Sequence, residues 1–258
     1  MGYALFDTHA HYDDEKYNHD REALLGGLPD AGIVNVVNIG YDIGSSVKSG
    51  ELASRYSFIW FAAGIHPHDA ASAPEGWEDS IAGLLKNRKA VALGEIGLDY
   101  HYDLSPRDVQ KDMFARQLAL SGGLGTPVII HDRDAHADII DILKLSGGAP
   151  RGGVCHCFSG DRRLAGQALD LGLHIAFGGA LTFKNAGDLA EAAAFTPPDR
   201  LLIETDCPYM SPAPYRGRRN DSTRLTIILE RLAQIRGESP GYISDITTEN
   251  AKKLFSIE

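Results

Sequence analysis

The chain has 258 residues, 43% of them hydrophobic and 23% charged, with a formal net charge of −10. This is the composition of a soluble globular protein that buries about 70–75% of its unfolded surface, and its acidity excludes a broad basic coat for nucleic acid. No apolar run reaches the roughly 18 residues that a bilayer-spanning helix needs, and the three cysteines, Cys155, Cys157 and Cys207, are too few and too odd in number for a disulfide framework.

The N-terminal stretch MGYALFDTHAHYDD has no basic n-region and reads as a first strand rather than a signal peptide. A cytoplasmic protein with no membrane partner and no obligate protein partner is expected. Apolar runs then alternate with helical patterns. Strands are expected at ALFDTH ending at His9, IVNVVNIG at Gly40, FIWFAAG at Gly64 and VALGEIG around Glu95, followed by PVIIH at His131, GGVCH at His156, HIAFGG at Gly179 and LLIETD at Asp206. Several are too continuously apolar or β-branched to be half-exposed, as befits strands covered on both faces. Helices are expected between them, among them DVQKDMFARQLALS after Pro106 and AHADIIDILKLSGG, which closes on Gly147 and Gly148. Pro197 and Pro198 stop a helix, SPAPYRGRRND reads as a long loop, and residues 222–255 read as a terminal helix pair. Strands alternating with helices over this length predict an α/β protein, a (β/α)8 TIM barrel forming a single domain over residues 1–258.

In such a barrel the C-terminal strand ends converge on one face, where active sites are built. His9 and His11 follow the first strand, His66 and His68 the third, and Glu95, His131, His156 and Asp206 end the fourth, fifth, sixth and eighth. Any one of these residues alone is an ordinary capping or core residue, but their convergence on one rim is the signature of a metal site. Imidazoles and carboxylates suit zinc, manganese, iron or magnesium, and one carboxylate can bridge two ions. The H-x-H pair points to opposite sides of an extended backbone, so both rings reach one ion only if the chain bends immediately after the strand. Two ions about 3.5–4 Å apart activate water and hold both oxygens of a phosphate ester. Arg133, two residues past His131, reads either as a contact to the scissile phosphate or as an ion-pair partner of Asp132 or Asp134.

FDTHAH, GIHPHDA, GEIGLDYHYD, VIIHDRDAHAD, HCFSG, GGALTFKNA, LLIETDCPYMSP and NAKKLF occur in an order and spacing that resembles the TatD family of metal-dependent deoxyribonucleases, from about Asp7 to Phe255. The resemblance implies a TIM-barrel hydrolase that cleaves phosphodiester bonds, often trimming single-stranded DNA from a 3′ end. It implies two divalent cations (Mg²⁺, Mn²⁺ or Zn²⁺), with His9, His11 and Asp206 as ligands of one, His131 and His156 as ligands of the other, and Glu95 as the bridge. Asp206 is implied as the general base, with His66 and, less directly, His68 as donors to the phosphate. Where the family carries an RGKRNEP-like segment this chain has RGRRNDS, so Arg216, Arg218 and Asn220 are candidate substrate contacts while Asp221 and Ser222 depart from the pattern. Hydrolysis of a carboxylic ester or amide by the same metals is the alternative activity.

Overall fold

The computed structural model describes residues 2–258. Eight parallel strands form one sheet in the order β1 to β8: Leu5–Ala10, Ile33–Ile39, Ile59–Ala63, Ala90–Asp99, Val128–Arg133, Gly153–Cys155, Leu173–Phe177 and Leu201–Ile203. The intervening helices are α1 (Arg21–Gly27), α2 (Ile43–Arg55), α3 (Trp77–Leu84), α4 (Arg107–Leu124), α5 (His136–Leu145), α6 (Arg162–Asp170) and α7 (Gly187–Phe195), followed by α8 (Leu225–Arg236) and α9 (Pro240–Phe255). All eight expected strands form. β2, β3, β6, β7 and β8 end one to three residues earlier than the apolar runs imply, so His156 and Asp206 lie just beyond β6 and β8, and Gly179 opens a short 3-10 turn after β7.

Local chemistry explains where helices start and stop. Asp42 and Ser45 form a reciprocal capping box at the start of α2, and Ser239 caps α9 just ahead of Pro240, a residue suited to the first helical position. Gly147 and Gly148 follow α5 with φ of +82° and +81°, and the N–H of Gly148 returns to the Leu143 carbonyl at 2.7 Å. The segment 211–221 contains no strand or α-helix, as expected for the loop after β8.

Side-chain alternation divides the core in two. Leu5, Val36, Phe61, Leu93, Ile130 and Ile175 face the helices. Phe6, Val37, Ala62, Ile129, Val154 and Leu202 point inward and fill the barrel, where Leu254, Phe255 and Ile257 from the end of α9 join them. The Phe6 and Phe255 ring centroids are 6.1 Å apart. The C-terminal helix therefore plugs the barrel at the end opposite the site.

Closure between β1 and β8 is largely polar. The Asp7 carboxylate, fully buried, accepts from the Thr205 N–H at 3.0 Å, the Thr205 hydroxyl at 2.6 Å and the Ser222 hydroxyl at 2.6 Å. Beyond it, the Asp206 N–H donates to the His9 carbonyl and the His11 N–H to the Cys207 carbonyl, at 2.9 and 2.7 Å. None of the described helices is long and apolar enough to cross a membrane.

Removal of the plug ring should cost stability without touching the rim. Phe255→Ala is expected to lower the unfolding free energy by about 3–5 kcal/mol, read from the denaturant midpoint, with metal uptake unchanged.

Candidate active site

The site is built around Glu95 in the middle of β4. Two glycines let the strand deliver it. A Cβ on Gly94 would lie 2.6 Å from the Ile129 Cβ, and one on Gly97, which has φ of +140°, would lie 2.0 Å from the His131 carbonyl oxygen. Only bare backbone lets β4 approach β5 this closely, and the β4–β5 register is irregular between Leu93 and Ile96, where Glu95 turns inward.

The two Glu95 oxygens face different imidazoles. Oε2 lies 3.4 Å from His9 Nε2 and 3.9 Å from His11 Nε2. Oε1 lies 2.6 Å from His131 Nδ1, 2.8 Å from His156 Nε2 and 3.7 Å from His66 Nε2. Asp206 Oδ1 completes the first group, 3.5 Å from His11 and 3.8 Å from His9. The His9 and His11 Nε2 atoms are 3.2 Å apart. The bend that the H-x-H pair requires is therefore present: β1 ends at Ala10 with its register irregular beyond Asp7. Three donor sets converge closely enough to share a cation: His9, His11 and Asp206; His9, Glu95 and His156; and His66, Glu95 and His131.

Hydrogen bonds on the far side of each ring select which nitrogen is free. His11 Nδ1–H donates to the Ile39 carbonyl at 3.1 Å and His156 Nδ1–H to Glu204 at 3.2 Å, leaving both Nε2 lone pairs aimed inward. His131 Nε2–H donates to Asp99 at 3.1 Å, so its inward atom is Nδ1. His66 is the reverse case. Its Nδ1 accepts the His68 N–H at 3.1 Å, which puts the ring proton on the inward Nε2 and makes His66 a donor rather than a ligand.

The electrostatics favour protons on several of these rings, which a cation bound there would displace. Burial opposes charge throughout, yet His156 and His9 hold the Glu95 carboxyl well below the usual range, and His11 lowers that of Asp206. Against the same burial, Asp206 and then Glu95 push His11 up to about 9, and the carboxylates raise His131 and His156. Burial, together with neighbouring His131, pushes His66 well below its ordinary value, so it is neutral. Carboxylates sharing a buried pocket with imidazole lone pairs make a donor set suited to divalent cations.

The remaining expected residues separate. Arg133 is exposed beside the site, makes no ion pair among the described residues and lies 4.7 Å over the Tyr102 ring. Arg216 is exposed and lies 4.1 Å over Phe183, while Arg218 lies 6.0 Å from Tyr215. Two of these side chains are held by the protein itself. His68 Nε2 faces Asp99 at 2.9 Å, so that ring braces the wall behind His131. Asn220 is fully buried with its amide donating to the Thr205 carbonyl at 2.9 Å; it steadies the loop that carries Asp206 and reaches no ligand. All three cysteines are free, Cys155 and Cys207 buried and Cys157 half-buried. Sequence reading missed Asp99 and Glu204, both fully buried. Their signal was parity: each is a carboxylate two or four residues from Asp206 or Glu95 at the end of an apolar run.

Fold and site together define a metal-dependent hydrolase of the (β/α)8 class. Residues 6–256 match the family model described as TatD related DNase. The chain is 42% identical over 253 residues to the uncharacterized metal-dependent hydrolase YabD of Bacillus subtilis, covering 98% of this chain and 99% of that protein. It is 34% identical over 258 residues to the 3′-5′ ssDNA/RNA exonuclease TatD of Citrobacter koseri, covering 98% and 99%. The crystal structure of YJJV, a TatD homolog from Escherichia coli K12, matches the full length of both chains with a TM-score of 0.94 at 30% identity. The chain belongs to the TatD related DNase family.

Because a ligand that binds only the folded state stabilises it by about 2.7 kcal/mol at a hundredfold excess over its dissociation constant, Mn²⁺ added to chelator-stripped protein should raise the unfolding midpoint. Glu95→Ala should fold and lose most of that rise in a thermal scan; an undiminished rise would remove Glu95 from the metal site.

Proposed function

We propose that this protein is a metal-dependent phosphodiesterase that shortens single-stranded DNA from its 3′ end. The observation that carries the nucleic-acid part is the mouth of the barrel, where three cations each lie over an aromatic ring from a neighbouring loop. Lys16 is 4.0 Å from the Tyr209 centroid, Arg133 is 4.7 Å from Tyr102 and Arg216 is 4.1 Å from Phe183. These pairs join the loops after β1 and β8, the loop after β4 to the end of β5, and the loops after β7 and β8. On a chain of net charge −10 they concentrate at one opening the two groups a single strand needs: cations for phosphates and rings for unpaired bases. The 3′ polarity is supported by the name of the Citrobacter relative.

His9, His11 and Asp206 would hold one cation and His131 and His156 a second, with Glu95 between them, and the pair would supply Lewis-acid polarisation of a phosphoryl oxygen and activation of water at neutral pH. The protein's own groups do the rest. Asp206, whose side chain is 16% exposed against 4% for Glu95, is the more open carboxylate of the two and takes the proton from the attacking water. Neutral His66 directs its Nε2–H at a phosphoryl oxygen, a contact that gains strength as negative charge accumulates there. Tyr209, anchored by its hydroxyl to Asp14 at 2.7 Å and edge-on to His11 at 6.2 Å, offers a face to the terminal base.

Oligonucleotides labelled at the 3′ or the 5′ end, incubated with stripped protein plus Mg²⁺, Mn²⁺ or Zn²⁺, should release the 3′ label first and only with metal. Asp206→Asn should lower kcat by about 10²–10⁴-fold. Turnover of carboxylic esters or amides by metal-loaded protein that leaves DNA intact would replace this reading with the alternative hydrolase.

The rim is tested separately. Tyr209→Ala and Tyr102→Ala each remove a stacking face of about 1–3 kcal/mol, so KM for an oligonucleotide should rise roughly 5- to 150-fold. The same variants should turn over bis(p-nitrophenyl) phosphate, which has no base to stack, at the wild-type rate.

A further inference from the structure

The two halves of the site obtain their negative charge by different routes. The half around His9 and His11 contains its own carboxylate, Asp206, and behind its rings stand only neutral groups or none: the Ile39 carbonyl for His11, and no hydrogen-bond partner for the buried His9 Nδ1. The half around His131 and His156 has no carboxylate beyond the shared Glu95. Yet each of its rings donates its outer N–H to a fully buried carboxyl, His131 to Asp99 and His156 to Glu204.

Both carboxyls are fixed. Asp99 Oδ1 accepts from the backbone N–H groups of His101 and Tyr102 at 3.0 and 2.8 Å, while its Oδ2 faces His131 and His68 at 3.1 and 2.9 Å. Glu204 Oε1 accepts from the Cys157 N–H at 2.5 Å as well as from His156, and its Oε2 is buried with no hydrogen-bond partner. A carboxyl behind an imidazole fixes the ring and makes its opposite nitrogen a stronger electron-pair donor; removal of such a partner typically costs about 10–100-fold in metal affinity.

We infer that Asp99 and Glu204 are positioning residues for one cation only, supplying through His131 and His156 the negative charge that Asp206 supplies directly to the other. This rests on the dinuclear reading of the site. Each half thereby has carboxylates of its own, one beside the rings in the first and two behind them in the second, and the halves differ in what faces the substrate. The His9–His11 half keeps a carboxylate in reach of water, and the His131–His156 half presents imidazoles, with its acids withdrawn behind them.

The experiment is a Mn²⁺ titration of chelator-stripped full-length protein, with free Mn²⁺ counted by electron paramagnetic resonance, on the wild type and on Glu204→Gln, Asp99→Asn and Asp206→Asn. Glutamine keeps an oxygen that accepts both the Cys157 N–H and the His156 N–H, so a purely structural role for Glu204 predicts unchanged binding. The inference predicts two binding events in the wild type. In Glu204→Gln one event should weaken about 10–100-fold while the other stays within a few-fold, and the event that Asp206→Asn weakens should be the one Glu204→Gln spares. Asp99→Asn should weaken the same event as Glu204→Gln. Unchanged binding in Glu204→Gln, equal weakening of both events, or loss of the same event in Glu204→Gln and Asp206→Asn would overturn the inference and leave the dinuclear reading standing. Fewer than two events in the wild type would overturn both. Circular dichroism and unfolding of the metal-free variants, expected to match the wild type, show whether the barrel is intact.

Discussion

A carboxylate buried in the middle of a strand is the constraint on which the rest of this molecule depends. Glu95 is 3% exposed, and a charge withdrawn from water to that degree persists only with compensating charge and hydrogen bonds around it. Four imidazoles, each from a different strand end, surround it: His131, His156 and His66 at 2.6, 2.8 and 3.7 Å from Oε1, and His9 at 3.4 Å from Oε2. To bring it there, β4 must run against β3 and β5 closely enough that side chains at Gly94 and Gly97 would collide with backbone or Ile129. The convergence of histidines at the rim and the glycines in the strand are thus two sides of one requirement.

Around that centre the polar groups sort by depth. Asp99 and Glu204 lie deepest, behind rings; Glu95 lies between the two imidazole groups; Asp206 stands nearer the opening; and the arginines, Lys16 and the tyrosines form the lip. Carboxylates are therefore gathered deepest, where the donor sets converge, while Lys16, Arg133 and Arg216 stand over aromatic rings further out.

Most of this was legible in the sequence because β strands buried on both faces leave continuous apolar runs, and the residue that ends each run is the residue the fold brings to the rim. His9, His11, Glu95, His131, His156 and Asp206 were found in that way, and they meet. What the sequence did not disclose was direction. His66 and His68 look equivalent in an HPH motif, yet the backbone N–H of His68 fixes the proton of His66 inward while the ring of His68 turns its Nε2 to Asp99. Asn220 sits in a basic loop, where an amide suggests a phosphate contact, but its side chain folds back against Thr205. Glu204 was hidden by its neighbour: two acids two residues apart at a strand end look like alternatives, when one faces the site and the other stands behind His156. Two of these distinctions, His68 with Asp99 and His156 with Glu204, depend on contacts 31 and 48 positions apart, which no local pattern encodes.

The plug formed by α9 carries a consequence for how the protein is made. Every strand is synthesised before Leu254, Phe255 and Ile257 exist, so during translation the inner ring of Phe6, Val37, Ile129, Val154 and Leu202 has no floor. A nascent barrel is a funnel open at both ends, wet on a face that must finally be dry. Until α9 is made, that ring lacks the apolar cover of Leu254 and Phe255, the kind of transiently exposed surface that makes partly folded chains prone to aggregate. The rim chemistry, assembled from strand ends that are already made, waits on a helix that touches none of it.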